Sequence, residues 1–177
     1  MRWFSLLLCA TASQTFAQPL VDHHQHLFHP ADTGLAKDTG TVTAKDLVAF
    51  LDAANIRRAL VLSVAYQFGN PNRPPVPNEY EKVKAENDWT AAEVSRYPSR
   101  LRGYCGFNPL RDYALEEMRR CAANKHLRHG IKLHFGNSDV QMDDPQHVEK
   151  IRQVFREASR LHTRCGPQRS SAGEADA

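Results

Sequence analysis

The sequence predicts an α/β fold of parallel strand–helix repeats, the first four units of an eight-stranded barrel. Three observations predict it. Short apolar runs alternate with amphipathic stretches long enough to cross over a sheet, which needs about a dozen residues or more. One run, Ala59-Leu60-Val61-Leu62-Ser63-Val64, is apolar almost throughout, as a strand covered on both faces requires. Residues able to do chemistry fall at or near the ends of the runs: His26, Ser63 to Tyr66, Asn108 and His134. In a parallel barrel that end is where chemistry sits.

Taken in order, residues 20–28 read as the first strand, broken by Pro30 and Gly34. Thr43 then suits the N-cap of a helix, because its hydroxyl can accept a bond from an otherwise unpaired N–H. Leu47, Phe50, Leu51 and Ala54 give that helix an apolar stripe. Residues 56–64 form the second strand, and 66–78, rich in Gly, Asn and Pro, a loop. A long helix follows over 79–97, carrying Tyr80, Val83, Trp89 and Val94 and stopped by Pro98. The third strand spans 101–107 and ends at Asn108-Pro109. The third helix spans 112–126, with Leu115, Met118, Cys121 and Ala122 inward. Residues 130–135 form the fourth strand, and Pro145 opens a fourth helix with Val148, Ile151, Val154 and Phe155 in phase. Crossovers of this kind are right-handed and make the strands parallel.

After Leu161 the pattern stops. A fifth apolar strand is due, yet Thr163-Arg164-Cys165-Gly166-Pro167 opens a polar, small and aperiodic segment. A TIM-type (β/α)8 barrel takes roughly 250 residues, so four units make about half of one. The expected organisation is a signal peptide at 1–17, a partial barrel at 18–161 and a disordered or out-of-frame-like tail at 162–177. The tail is the kind a truncation, frameshift or gene-model error leaves.

The leader rests on Arg2, the apolar run from Trp3 to Ala10, and the small-x-small site Thr15-Phe16-Ala17, with Ala10-Thr11-Ala12 as a second choice. The run is too short to span a bilayer. Leu8 before Cys9 disfavours a lipoprotein site. The protein is therefore expected to be exported, periplasmic or secreted. Cleavage would leave Cys105, Cys121 and Cys165, whose spacing suits no zinc knot. Cys105 and Cys121 either pair in an oxidising compartment or, the preferred reading, are buried small apolar side chains. With 41% apolar and 24% charged residues in 177, the chain reads as one soluble globular domain. Its net charge of +3, spread evenly along the sequence, argues against nucleic acid and membrane partners.

Asp22-His23-His24-Gln25-His26-Leu27 carries the most specific chemistry. Strand alternation puts Asp22, His24 and His26 on one side and His23 and Gln25 on the other. Two imidazoles so spaced can converge on one cation, and neutral imidazole suits zinc and its first-row neighbours. Asp22 is either a supporting partner or a strand-start residue. His29, His126, His129, His147 and His162 show no ligand spacing and read as surface residues.

These residues resemble the amidohydrolase superfamily, most closely its amidohydrolase-related (amidohydrolase 2) branch. The segment from Asp22 to His26 is similar to the His-x-His pair of that family's first strand. Ala85-Glu86-Asn87-Asp88-Trp89 and Gly130-Ile131-Lys132-Leu133-His134 also look like members of the branch, and the resemblance covers residues 20–161. It implies a hydrolase dependent on a divalent metal, zinc first, acting on a small amide, lactone or ester. The metal would activate water and polarise the carbonyl. The runner-up is a metal-dependent decarboxylase of the same superfamily. A non-catalytic half-barrel fragment is the third reading. His24 and His26 would be metal ligands. Lys132 is similar in spacing to the urease lysine that bridges two metals as its carbamate, or else is a buried or substrate-facing lysine. His134, Tyr66 and Asn108 would contact substrate, with Asn137 and Ser138 in the rim, and His134 reads equally as a core histidine. The family's later ligands, histidines on strands five and six and an aspartate on strand eight, have no counterpart here, so no catalytic acid or base is assigned. The expected partners are a small-molecule substrate and a second copy, joined through the open half-barrel edges.

Overall fold

The computed structural model describes residues 19–30 and 40–161. The expected leader and tail, with Gly34, His162 and Cys165, lie outside the described residues. The chain runs β1 (Val21–Gln25), α1 (Ala44–Ala53), β2 (Arg58–Leu62), a 3-10 turn (Ala65–Gln67), α2 (Glu79–Ser95), β3 (Leu101–Gly106), α3 (Ala114–Ala123), β4 (Ile131–Lys132) and α4 (Pro145–Arg160). All four strands are parallel and lie in the order β1-β2-β3-β4, the wall of a half-barrel. Among the described residues no helix is long and apolar enough to cross a membrane.

Alternation along β2 divides the apolar side chains between two faces. Ala59 and Val61 meet Leu47, Leu51, Val94 and Leu101 beneath α1 and α2. Leu60 and Leu62 point the other way and meet Tyr104 of β3 on the concave inner face. A second core, with Phe107, Met118, Cys121, Ile131 and Val154, packs α3 and α4 against β3 and β4. Phe50 departs from its expected place and is 62% exposed. Leu47 and Leu51, one turn apart, already fill the contact of α1 with the sheet, which leaves Phe50 on the flank.

Thr43 caps α1 as expected, in a reciprocal capping box with Asp46. A neighbouring helix adds a further cap. The buried Glu93 of α2 accepts the Ala44 N–H at 2.8 Å. The helix α2 is unusual in burying polar residues, Glu86, Asn87, Thr90 and Glu93, along with Val83 and Val94.

Asn87 explains why. Its Nδ2 donates to the Gly106 carbonyl at 2.9 Å and its Oδ1 accepts the Gly106 N–H at 3.0 Å. The same Nδ2 donates to Glu117 Oε1 at 2.7 Å. Arg120 donates to both Glu117 oxygens at 2.8 Å and to Asp88 of α2. One fully buried carboxylate is thereby satisfied by two helices while the end of β3 is pinned. Gly106 is needed at that end, because a Cβ there would lie 2.5 Å from the Ser63 carbonyl oxygen.

Two further expectations are corrected. Cys105 and Cys121 are joined as a disulfide, Cα atoms 6.0 Å apart, where free buried thiols were the preferred reading. Both are buried, and the β3–α3 unit folds them face to face. The fourth strand is only Ile131–Lys132, shorter than 130–135. It is the sheet's edge, and beyond it the chain turns at once, with Ser138 N–H bonded to the His134 carbonyl at 2.9 Å.

Replacing Asn87 with Ala should therefore cost about 2–4 kcal/mol, since it strips a donor from a buried carboxylate and both partners from the Gly106 peptide. Urea denaturation measures this, and a loss below about 0.5 kcal/mol, ordinary for a surface change, would show the clamp to be dispensable.

Candidate metal centre

A β-bulge shapes the first strand. Its pairing with β2 jumps from Asp22↔Ala59 to Gln25↔Val61, so three steps on β1 match two on β2. The Asp22 carboxylate holds the bulge, accepting the His24 N–H at 2.9 Å and the Gln25 side-chain N–H at 2.6 Å. This corrects the simple alternation that placed His23 and Gln25 opposite Asp22 and His24: the Gln25 side chain meets Asp22, and His23 lines the same cavity as His24. The register break, not the pleat, aims the imidazoles.

His24 and His26 do converge. Their Nε2 atoms are 3.2 Å apart and their rings meet edge to face, centroids 5.0 Å apart. His26 Nδ1 lies 2.6 Å from the Leu62 carbonyl oxygen at the end of β2. A carbonyl only accepts, so Nδ1 carries the proton and the unprotonated Nε2 faces His24 Nε2, able to accept a bond from that ring or to donate its lone pair to a cation. Burial pushes the His26 pKa below the usual imidazole value, and His24, Lys132 and His134 add to this against the opposing Leu62 bond. The ring is held in its neutral, ligating form.

The donor geometry fits a metal. Two nitrogens about 2.0–2.1 Å from a tetrahedral zinc stand about 3.3–3.4 Å apart. The observed 3.2 Å is close to that span. Among the described residues no third imidazole, thiol or carboxylate comes within 4.8 Å of both. The one cluster of three that does form, Cys105, Glu117 and Cys121, is occupied by the disulfide and the Arg120 clamp.

The other expected site residues divide. Lys132 and His134 both act electrostatically on His26, so β4 and the turn that follows it bring them to the same mouth. Lys132 has its pKa lowered by burial and pairs with no carboxylate among the described residues. It lines a concave cavity of about 510 Å³ with His24, Leu60, Leu62, Tyr104 and Phe155. His134 accepts the Asn137 N–H through Nδ1 at 3.1 Å, so its Nε2 carries the proton. Its ring stacks on the buried Tyr66, centroids 5.2 Å apart. Asn108 stands apart. Its Nδ2 donates to the Gly69 carbonyl at 2.6 Å and its Oδ1 accepts the Leu110 N–H at 2.8 Å, so it ties loops together. Ser138 is buried rather than in the rim.

Sequence reasoning missed the Leu62 carbonyl, a backbone atom with no signature, and Tyr104. The aromatic was findable, since alternation puts Tyr104 on the same face as Leu60 and Leu62.

No family model and no curated protein matches the sequence. Solved structures match the fold. One is 5-carboxyvanillate decarboxylase from Sphingomonas paucimobilis, TM-score 0.58 and 18% identity over 84% of this chain and 51% of that one. Another is 2,6-dihydroxybenzoate decarboxylase from Rhizobium, TM-score 0.56 and 20% identity over 84% of this chain and 49% of that one. A third is a provisionally assigned amidohydrolase from Staphylococcus aureus, TM-score 0.59 and 15% identity over 83% of this chain and 46% of that one. The chain thus spans about half the length of the structures it matches.

The depressed His26 pKa has a defined consequence. In the window below the ordinary imidazole value of 6.5, the unfolded ring binds a proton that the folded ring refuses, so His26 lowers stability as pH falls through it. Proton NMR of the ring, assigned with His26→Gln, should give a titration midpoint below 6.5. A midpoint at or above that value would remove the electrostatic case for a preset ligand.

Proposed function

We propose that this chain supplies the metal-binding half of a metal-dependent hydrolase of the amidohydrolase superfamily, acting on a small amide, lactone or ester. One observation carries the reading. Two imidazole nitrogens meet 3.2 Å apart at the C-terminal mouth of a parallel half-barrel, one of them fixed in its ligating tautomer by a backbone carbonyl. The likeness to barrel enzymes supports it at the level of fold.

His24 and His26 would hold the metal, zinc first. Such an ion supplies an activated water and a polarised carbonyl. The chain's own residues bind and orient. His134 presents its Nε2–H as a donor to a substrate oxygen, with Tyr66 keeping the ring in place. Lys132, an ammonium in largely apolar surroundings, draws an anionic group toward the histidines. Its alternative role is a carbamylated metal ligand. Remaining ligands and a proton-shuttling carboxylate come from whatever completes the barrel, a carboxy-terminal half or a second copy. Residues 1–17 would direct export.

A second reading has a specific observation behind it. Lys132 shares its cavity with Tyr104, Phe135 and Phe155, a cation among aromatic rings. Such a lining suits an aromatic carboxylate, and two of the matched structures are named decarboxylases. Metal-dependent decarboxylation is therefore the alternative chemistry.

Size-exclusion chromatography with metal analysis tests the assignment. The chain should retain zinc, and His24→Ala or His26→Ala should each weaken binding by more than about 100-fold, the upper end for losing a mere supporting contact. Zinc retention equal in the double variant would overturn the site. A zinc-loaded dimer should then hydrolyse simple lactones or amides, or release carbon dioxide from hydroxybenzoates if the second reading holds.

A further inference from the structure

The opposite end of the sheet carries a second concentration of chemistry. Arg102 near the start of β3, with Lys125, His126, Arg128 and His129 from the α3–β4 connection, lines a cleft of about 650 Å³. Its remaining walls are Val94, Ser95, Pro98 and Leu101, and no carboxylate lines it. Elsewhere the basic side chains are mostly paired, Arg100 with Asp52, Arg111 with Glu79, Arg119 with Glu157 and Lys150 with Asp112. Arg102, Lys125 and Arg128 form no ion pair among the described residues.

The cleft is also built to hold its shape. Asn124 Oδ1 accepts the His126 N–H at 2.9 Å, and the Asn124 carbonyl accepts the Leu127 and Arg128 N–H groups at 3.0 Å. Leu127 is buried beneath the loop, and Arg128 pairs with Tyr104 in a β-bridge. Gly103 lets the loop lie against β3, since a Cβ there would sit 2.4 Å from the His126 carbonyl oxygen. Arg102 Nη1 is oriented by the Pro98 carbonyl at 2.7 Å. The crowding of like charge is felt within the cluster. Burial, Arg102, Arg128 and His126 push the His129 pKa down against a bond to the Lys125 backbone, and burial and Lys125 do the same to His126.

We propose that this cleft binds a small, multiply charged phosphate anion, held by Arg102, Lys125 and Arg128 on the face of the half-barrel opposite the metal centre. Three neighbouring cations without a counter-charge, one of them oriented by the Pro98 carbonyl, favour a ligand of charge minus two or more. Guanidinium forks match phosphate oxygens two at a time, which carboxylate-free surroundings leave free to do so. The cationic groups come from one strand and one short loop around a concavity. They form no stripe that would track a nucleic acid backbone. The site stands independently of the metal chemistry.

Calorimetric titration of the full chain with inorganic pyrophosphate tests it, alongside sedimentation with phosphatidylglycerol vesicles. Lys125 and Arg128 are exposed, so Lys125→Gln/Arg128→Gln should keep the circular dichroism spectrum and zinc content of the parent. Pyrophosphate should bind at one per chain, and the double variant should weaken it at least about tenfold, as losing charge-assisted bonds does. Equal binding by parent and variant would overturn the proposal. So would a signal that sodium chloride at matched ionic strength abolishes in full. Binding to the vesicles without binding of free pyrophosphate would replace the small-ligand site with a membrane surface.

Discussion

The structure depends on how the buried end of β3 is held. A strand that stops inside a protein leaves peptide groups needing partners, and Asn87 supplies both for Gly106. The amide alone would serve that purpose. Its additional bond to Glu117 recruits a carboxylate into the core, which is costly unless that charge is fully satisfied. Arg120 satisfies it with two parallel bonds and reaches Asp88 on α2 as well. Two helices and one strand are thus fixed by groups with directional geometry, where apolar contacts alone would allow sliding. Glu93 does the same between α2 and α1 by capping Ala44.

That rigidity is what makes the mouth of the half-barrel usable. The Ser63 carbonyl packs against Gly106, so the ends of β2 and β3 approach closely. Leu62, just before Ser63, then offers its carbonyl to His26. The clamp outside the sheet and the histidine pair inside it are therefore linked through the last residues of β2 and β3. The bulge in β1 completes the arrangement by aiming the imidazoles.

The two ends of the sheet differ in charge. At one, imidazoles, a half-buried lysine and aromatic rings line a cavity. Phe155, which lines this cavity, is 43% exposed. At the other, cations gather around a cleft without acid. A net charge of +3 spread evenly along a sequence gave no hint of this, because distance along the chain does not measure distance across a fold.

The sequence by itself determined the element order, the parallel topology and the presence of a histidine pair. Those follow from local periodicity, the cap at Thr43, the helix-opening Pro145, and crossovers long enough to return the chain. Its apolar pattern also found Leu47, Val83, Met118 and Val154, since burial of such groups is the default. It could not find Glu93, Asn87 or Glu117, because a buried polar residue looks like a surface one until its partner is placed. Nor could it foresee the bulge or the Leu62 carbonyl at His26, or decide between paired and free thiols at Cys105 and Cys121, each of which needs separate segments to meet. Tertiary structure alone decided those, because hydrogen bonds and ligand geometry depend on separations of a few tenths of an ångström that no residue carries in isolation.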